Sequence, residues 1–240
     1  MRSWGWRLIP FLRKRTSCPS MPVRPSYWSG TVPLQPPCVE RGPAGPVPCR
    51  RATSAKKLDF IACAEFLVRE GYTRPARLAA LSGSAGGITV GRAITERPDL
   101  FAAAVIQNGA LDAVRLETTP GGPPNTHEFG SVATEEGFRA LLAMSAVHHV
   151  HPGTAYPAVL LATGLNDTRV APWQSGKMAA ALQAATPGGR SVLLRVDEAA
   201  GHMPQDTADE QLRQLLTDFY AFLMAQTGMP AYRAPAPPGR

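Results

Sequence analysis

A serine, an aspartate and a histidine that each follow a separate apolar segment are the residues of this chain best suited to chemistry. The serine, Ser84, lies in a turn of small residues, 82–87, between an apolar run and a helical pattern. Only small neighbours fit a backbone that turns so sharply, and N–H groups at a helix N-terminus can stabilise an oxyanion. The turn is typical of a nucleophile elbow, although Ser82 replaces the first glycine of the G-x-S-x-G pattern. A purely structural turn fits these residues nearly as well.

The aspartate and the histidine strengthen the catalytic interpretation of this turn. A serine hydroxyl is a poor nucleophile until a histidine accepts its proton and a carboxylate orients that histidine. Asp167 follows the apolar segment 158–163, and His202 follows the next apolar segment, 191–196. Both are therefore expected in loops at the carboxyl ends of strands, where α/β proteins hold their functional groups. Each could be an ordinary loop residue, but together with Ser84 they predict a Ser-Asp-His triad.

The elements that must position these side chains follow from the apolar pattern. Short strands that are apolar throughout alternate with helices, which predicts an α/β fold with a mostly parallel sheet and helices on both faces. Strands are predicted at 77–81, 101–107, 158–163 and 191–196, and helices at 58–70, 86–96, from 134 onward, at 172–186 and at 207–226. The stretch 109–130 is predicted to be a loop. Cys63 falls in the first helix, where we expect a buried free thiol.

The basic charge of the chain is concentrated near its beginning. The formal net charge is +7, but residues 1–57 hold 11 Lys and Arg against one acid, whereas the rest holds 14 against 17. Residues 1–55 are rich in proline and have no helical or strand period, so we expect a mostly disordered segment. Residues 56–228 form the predicted catalytic domain, and residues 229–240 form a proline-rich tail. Because the domain itself is slightly acidic, the charge does not argue for a nucleic-acid partner.

Short stretches spread along residues 56–228 carry a family resemblance. They lie at 59–62 with Glu65, 71–73, 77–78, 83–87, 97–101, 156–158, 167–170 with Pro172, and 201–202. In this order they resemble the C-terminal part of the catalytic domain of the prolyl oligopeptidase family of serine peptidases. The resemblance implies a partial α/β-hydrolase fold for this part of the chain.

The same resemblance implies a role for each candidate site residue. Ser84 is expected to be the nucleophile, Asp167 the orienting acid and His202 the general base. The backbone N–H of Ala85 is expected to donate to the oxyanion. Arg169 occupies a position where family members bind a substrate carbonyl, so we expect it to bind substrate; a salt bridge on a solvated loop is the alternative. Met203 stands where glycine is common in the family, and could narrow the site.

Residues 1–55 do not resemble what family members carry before this part of the domain. There the family has further strands of the sheet, a β-propeller that restricts access, and an aromatic hydroxyl that serves as the second oxyanion donor. Tyr27 lies among Pro and Ser residues, and we do not assign it that role. Because the loss of one oxyanion donor typically costs about 10²–10³ in rate, we expect impaired activity. Residues 1–55 are also consistent with an out-of-frame or misassigned start of the sequence.

The leading functional prediction is an oligopeptidase-like serine peptidase that hydrolyses short peptides through an acyl-enzyme. An esterase or acyl-peptide hydrolase on the same fold is a second hypothesis, because a triad does not by itself select peptides over esters. A non-catalytic chain with a hydrolase-like core is a third. The preferred residue before the scissile bond and the oligomeric state stay open.

No metal or cofactor is expected in this chemistry. His148, His149 and His151 lie close together in the sequence, but adjacent histidines in a loop point apart and no carboxylate accompanies them. The expected partner is therefore a peptide substrate. No apolar run reaches the roughly 18 residues of a membrane-spanning helix, so no membrane partner is expected. We expect a cytoplasmic location, although the irregularly spaced cysteines do not fix the redox compartment.

Overall fold

Seven strands and six α-helices lie within the residues that the structure describes. The computed structural model describes residues 7–10, 39–42, 45–48, 51–185, 189–202 and 209–229. The strands are β1 (Arg7–Pro10), β2 (Val39–Gly42), β3 (Gly45–Pro48), β4 (Leu78–Gly83), β5 (Ala103–Gln107), β6 (Ala158–Gly164) and β7 (Val192–Asp197). The helices are α1 (Arg51–Arg69), α2 (Gly86–Glu96), α3 (Thr126–Phe129), α4 (Glu135–Met144), α5 (Trp173–Ala185) and α6 (Asp209–Gln226). Among the helices of these ranges, none is both long and apolar enough to cross a membrane.

The central sheet has five strands in the order β1-β4-β5-β6-β7. The four strands β4 to β7 pair in parallel, while β1 pairs with β4 in the antiparallel direction. β2 and β3 form a separate two-stranded antiparallel pair. The predicted α/β class and mostly parallel sheet are thus confirmed. All four parallel strands end at the same edge of the sheet, so the segments that follow β4, β5, β6 and β7 meet there.

Helices cover both faces of the sheet, as predicted. On one face, α1, α2 and α5 bury apolar side chains such as Ile61, Ile94 and Met178 against alternate residues of β4 to β6. On the other face, α6 packs Phe219 and Leu223 against the intervening strand residues. Because successive side chains of a strand point to opposite faces, a strand buried on both faces must be apolar throughout. β6 meets this condition along its whole length, since all seven of its residues are buried.

From β4 onward, nearly every predicted helix and strand begins and ends within two residues of the observed one. β5 begins at Ala103 rather than at 101, because a 3₁₀ turn at Pro98–Leu100 leads into it. The helix predicted from 134 begins as the sequence suggests, since the Thr134 side chain accepts a hydrogen bond from the N–H of Gly137. Within the predicted loop 109–130, two 3₁₀ helices, Ala113–Thr118 and Pro123–Asn125, precede α3.

The prediction of a buried thiol at Cys63 is wrong. α1 turns Phe60, Ile61 and Ala64 towards the core, whereas the Cys63 side chain is exposed. The apolar stripe of this helix is wider than the face that the sheet covers, and Phe66 on the same helix is exposed as well. The apolar spacing therefore predicted the helix correctly, but it could not distinguish residues at the centre of the buried face from residues such as Cys63 at its edge.

Most of the predicted disordered segment lies outside the described residues. Within it the structure describes the three short strands β1, β2 and β3, and α1 begins at Arg51, five residues before the predicted domain boundary. The predicted tail lies outside the described residues beyond Met229. The division into a disordered segment, a catalytic domain and a tail stays a prediction.

A cluster of charged side chains joins α1 to α2. Arg92 is buried, and it donates to Thr95 Oγ1 at 2.7 Å, to the carbonyl of Ala143 at 3.0 Å and to Glu96 at 3.3 Å. Lys57 of α1 donates to the same Glu96 carboxylate at 2.6 Å. Burial lowers the pKa of Arg92, while the hydrogen bond from Lys57 lowers the pKa of Glu96. The cluster fastens α1 to the helix that begins at the candidate site.

Candidate active site

The turn after β4 holds Ser84 in a strained backbone conformation. The φ angle of Ser84 is +55°, in the left-handed region that side chains other than glycine seldom adopt. Backbone hydrogen bonds fix it there: its N–H donates to the carbonyl of Gln107 at 2.9 Å, and its own carbonyl accepts from Gly87 at 2.9 Å and from Ala110 at 3.0 Å. Strain of this kind persists only where the surroundings impose it, and it is common at reactive residues.

Ser84, His202 and Asp167 form an unbroken line of hydrogen bonds. Ser84 Oγ lies 2.8 Å from His202 Nε2, and His202 Nδ1 lies 2.7 Å from Asp167 Oδ2. A carboxylate can only accept, so Nδ1 must carry the ring proton, which leaves Nε2 free to accept from the Ser84 hydroxyl. The structure therefore brings together the three side chains that the sequence singles out, from loops 35 to 118 residues apart.

Asp167 is held by the backbone of its own loop. Its Oδ1 accepts from the N–H groups of Arg169 at 2.9 Å and Val170 at 2.8 Å, while its Oδ2 faces His202. Asp167 and His202 are both more than nine-tenths buried. A buried carboxylate needs several donors to remain stable, and these three also define which oxygen faces the imidazole.

Ala85 and Arg169 both lie beside this line of side chains. Ala85 is the N-cap residue of α2, so its N–H group lies at the positive end of the helix dipole, directly after Ser84. Arg169 is exposed, two residues beyond Asp167, and its backbone packs closely against Gly121.

The prediction that Met203 narrows the site concerns a residue outside the described ones. Ser82 lies on β4 with its hydroxyl buried, and within the described part of the chain that hydroxyl has no hydrogen-bond partner.

Sequence reasoning missed Asn108, which directly follows β5. Its φ angle is +47°, and its Nδ2 donates to the carbonyl of His202 at 2.8 Å. The same Nδ2 lies 3.4 Å from the carbonyl of Gly201, and Oδ1 accepts from the N–H of Gly164 at 3.2 Å. The Asn-Gly pair at 108–109 after an apolar strand is a turn signal that indicates a left-handed residue here. It carries no information about partners so distant in the chain.

The three neighbouring histidines have hydrogen-bonding roles near the 3₁₀ helix at Ala146–His149. His148 Nδ1 lies 2.7 Å from Ser145 Oγ, and His149 Nδ1 donates to the carbonyl of Ser145 at 2.8 Å. The backbone N–H of His151 donates to the Tyr156 hydroxyl at 2.8 Å. Burial lowers the pKa of His149, which favours the neutral ring. Across the residues that the structure describes, no three His, Cys, Asp or Glu side chains gather as a metal site requires.

Curated proteins of known function are similar to this chain over most of its length. The prolyl endopeptidase of Elizabethkingia miricola is 35% identical over 172 residues, which cover 71% of this chain and 24% of that protein. The dual function macrocyclase-peptidase of Amanita bisporigera is 34% identical over 184 residues, 75% of this chain and 25% of that protein. The chain thus spans about a quarter of the length of these relatives.

Solved structures and a family model agree with these relatives. Prolyl oligopeptidase B from Galerina marginata, bound to a 35mer hydrolysis and macrocyclization substrate, matches with a TM-score of 0.67 and 30% identity, covering 75% of this chain and 25% of that one. Oligopeptidase B from Trypanosoma brucei with covalently bound antipain matches with a TM-score of 0.66 and 31% identity, over 70% and 24% of the two chains. The model that describes the prolyl oligopeptidase family matches residues 51–229. With its parallel sheet, its covering helices and this match, the chain belongs to the prolyl oligopeptidase family.

Proposed function

We propose that this chain is a serine peptidase that hydrolyses peptide bonds of short peptides through an acyl-enzyme at Ser84. The observation that carries the proposal is the line of hydrogen bonds from Ser84 Oγ through His202 to Asp167, 2.8 Å and 2.7 Å long. Nucleophile, base and orienting acid each lie within hydrogen-bond reach of the next, which is the geometry that activates a serine.

In the acylation step, Ser84 Oγ attacks the carbonyl carbon of the scissile peptide bond. His202 Nε2 accepts the hydroxyl proton as the bond forms, and the carboxylate of Asp167 stabilises the imidazolium that results. The negative charge on the former carbonyl oxygen is stabilised by the N–H of Ala85 at the start of α2. When the tetrahedral intermediate collapses, His202 returns its proton to the leaving amine, and the carbonyl carbon remains esterified to Ser84.

In the deacylation step, a water molecule takes the position of the departed amine. His202 accepts a proton from this water as the oxygen attacks the ester, and it then donates the proton to Ser84 Oγ as the serine leaves. The products are a peptide with a new carboxyl terminus and the free enzyme. The two steps need no oxidant, reductant or metal, because no atom changes its oxidation state and His202 accepts and returns every proton that moves.

Peptides are the substrates that the comparisons favour over simple esters. The relatives that resemble this chain are named prolyl endopeptidase and macrocyclase-peptidase, and one matching structure holds a 35mer peptide substrate. The same triad would also cleave an activated ester, because the chemistry of acyl transfer to serine is shared. Turnover of a proline-containing peptide, measured beside a short-chain ester, therefore tests the substrate class.

A fluorophosphonate probe tests the proposal directly on the full chain. This probe phosphonylates only a serine that a neighbouring base has activated, so the wild-type chain is expected to be labelled at Ser84. Ser84→Ala is expected to lose all labelling, while Ser131→Ala, which removes a half-buried loop hydroxyl that donates to Glu117, keeps it. Absence of labelling in a wild-type chain with a cooperative melt would favour a non-catalytic hydrolase-like protein and overturn the proposal.

Arg169 is assigned to substrate binding within the same proposal. Arg169→Gln is expected to lower kcat/KM for a peptide by about 10- to 100-fold, mainly through KM, because hydrogen bonds to charged groups contribute about 1.5–3 kcal/mol. Steady-state kinetics with a peptide substrate measures this effect. Arg139→Gln is the matched control, since Arg139 is an exposed arginine on α4 that pairs with Glu135 one turn away.

The Arg169 assignment also predicts a difference between substrate and probe. A fluorophosphonate has no peptide carbonyl for the guanidinium to bind, so the labelling rate of Ser84 is expected to stay within about twofold of wild type in Arg169→Gln. If labelling and peptide turnover fall by the same factor, Arg169 acts on the loop that holds Asp167 and not on the substrate.

A further inference from the structure

We propose that Asn108 is a positioning residue whose amide fixes the loops of Asp167 and His202 relative to each other and to Ser84. The inference rests on the proposed serine peptidase function and adds a residue to its machinery. Asn108 touches none of the atoms that react. It acts through the backbone of the residues that do.

The Asn108 side chain joins two loops that are far apart in the sequence. Its Nδ2 donates to the carbonyl of His202 at 2.8 Å, and its Oδ1 accepts from the N–H of Gly164 at 3.2 Å. Gly164 is the last residue of β6, three residues before Asp167. One planar amide therefore sets the spacing between the peptide group of the base and the strand end that carries the orienting acid.

The backbone around Asn108 supports Ser84 in the same way. The turn 107–110 runs from the last residue of β5 to Ala110, and it makes two backbone hydrogen bonds to Ser84. The carbonyl of Gln107 accepts from the N–H of Ser84 at 2.9 Å, and the N–H of Ala110 donates to the carbonyl of Ser84 at 3.0 Å. The turn 107–110 thus contacts the segments of all three triad residues. Among the hydrogen bonds of the described residues, only the Asn108 side chain connects this turn to the segments of Asp167 and His202 through a side chain.

The chemistry of this position selects asparagine. The φ angle of +47° disfavours most side chains, but asparagine tolerates the left-handed region well. At one end the buried carbonyl of His202 requires a donor, with the partly buried carbonyl of Gly201 beside it, and at the other end the N–H of Gly164 requires an acceptor. A side-chain amide offers both groups in one plane. Aspartate has the same shape but no donor, and glycine tolerates the backbone angle but has neither group.

Loss of the amide removes the hydrogen bond that holds the peptide group of His202, while the imidazole itself is chemically unchanged. The carbonyl of His202 then lacks its buried donor, and the loop can shift to recover one from elsewhere. A shift of about 1 Å in a reacting group costs on the order of 10²-fold in rate. Asn108→Gly is therefore expected to slow fluorophosphonate labelling of Ser84 and peptide kcat by about 10- to 100-fold, with KM changed much less.

Three variants of the full chain test this role. Asn108→Gly permits the same backbone angle and removes the amide, whereas Asn108→Asp keeps the shape but replaces the NH₂ donor with a second, negatively charged carboxylate oxygen. Gln183→Ala is the matched control, because Gln183 donates to the carbonyl of Val192 at the opposite end of β7, at 3.0 Å. Each variant is measured for its melting curve, its labelling rate, its peptide kcat and KM, and the proton NMR line of His202 Nδ1–H, which reports its hydrogen bond to Asp167.

If the NH₂ group of Asn108 positions His202, both Asn108 variants are expected to label slowly and to show a shifted or broadened NMR signal of His202 Nδ1–H. Gln183→Ala is expected to behave like the wild type. If Asn108→Asp labels as fast as wild type while Asn108→Gly does not, the residue only shapes the turn and the proposal fails. The proposal also fails if Asn108→Gly labels at the wild-type rate. A wild-type chain that is not labelled at all overturns the proposed function itself, which is a separate result.

Discussion

Replacing Asp167 by asparagine is expected to slow the acylation of Ser84 by about 10⁴-fold while leaving the chain folded. The reason lies in which end of the amide faces His202. The N–H groups of Arg169 and Val170 both donate to Asp167 Oδ1, at 2.9 Å and 2.8 Å, so an amide at this position keeps its oxygen there. Its NH₂ group then replaces Oδ2 and donates to His202 Nδ1, which forces the ring proton onto Nε2. In that tautomer Nε2 has no lone pair to accept the Ser84 proton.

The rate of fluorophosphonate labelling and the kcat for a peptide substrate both measure this loss. Asp99→Asn is the matched control, because Asp99 is an exposed carboxylate that pairs with Arg97 near the amino end of β5, and its labelling rate is expected to stay within about twofold of wild type. If Asp167→Asn labels at the wild-type rate, Asp167 is a structural residue of its loop, and another group must orient His202.

The positions of the three candidate triad residues could be predicted because they depend on features that a sequence shows directly. Each of Ser84, Asp167 and His202 follows an apolar run that forms a parallel strand. The runs before Ser84 and Asp167 are largely buried between helices, as apolar strands of a parallel sheet usually are, whereas β7 before His202 exposes Leu193, Leu194 and Val196. β6 at Ala158–Gly164 is the best example, since its predicted span of 158–163 differs by one residue. Parallel strands end at one edge, so three residues that follow three such strands converge without any knowledge of their contacts.

Asn108 and Cys63 show where this reasoning stops. The role of Asn108 depends on a left-handed backbone angle and on partners 56 and 94 residues away, and no periodicity encodes such contacts. The exposure of Cys63 depends on how much of a helix face the sheet covers, which is set by the packing of the whole domain. Local pattern determines the elements and their order. Close contacts between loops follow from tertiary packing.

Gly87 provides the second large effect, because it lies where α2 meets the turn 107–110. A Cβ atom added at Gly87 would lie 2.7 Å from Gly109 Cα and 2.8 Å from the N atom of Ala110, distances that real Cβ atoms do not adopt. The obstructing atoms belong to the backbone, so the helix or the turn must move. Gly87→Ala is therefore expected to reduce the free energy of unfolding by about 1–3 kcal/mol, as overpacking typically does.

Gly176→Ala is the matched control for this prediction, and it is expected to have the opposite sign. Gly176 is the fourth residue of α5, and apart from its chain neighbours and the backbone of its own helix an added Cβ there would meet no atom of the described residues within 4 Å. Alanine is the better helix former by about 0.8–1.0 kcal/mol, so Gly176→Ala is expected to stabilise the chain by roughly that amount. Denaturant unfolding of the two variants beside the wild type measures both changes. Equal stabilisation in both would mean that α2 and the turn 107–110 are not in close contact.

Gly87→Ala is also expected to change the geometry of the site, which the labelling rate of the folded protein measures separately from its stability. The N–H of Ala110 donates to the carbonyl of Ser84, so a displacement between α2 and the turn lengthens that bond and relaxes the left-handed angle of Ser84. Labelling of the folded Gly87→Ala protein is therefore expected to slow by about 10²-fold, whereas Gly176→Ala labels like the wild type. If folded Gly87→Ala labels at the wild-type rate, the angle of Ser84 is set by β4 and α2 alone. The turn 107–110 would then support the histidine and aspartate loops without acting on the serine.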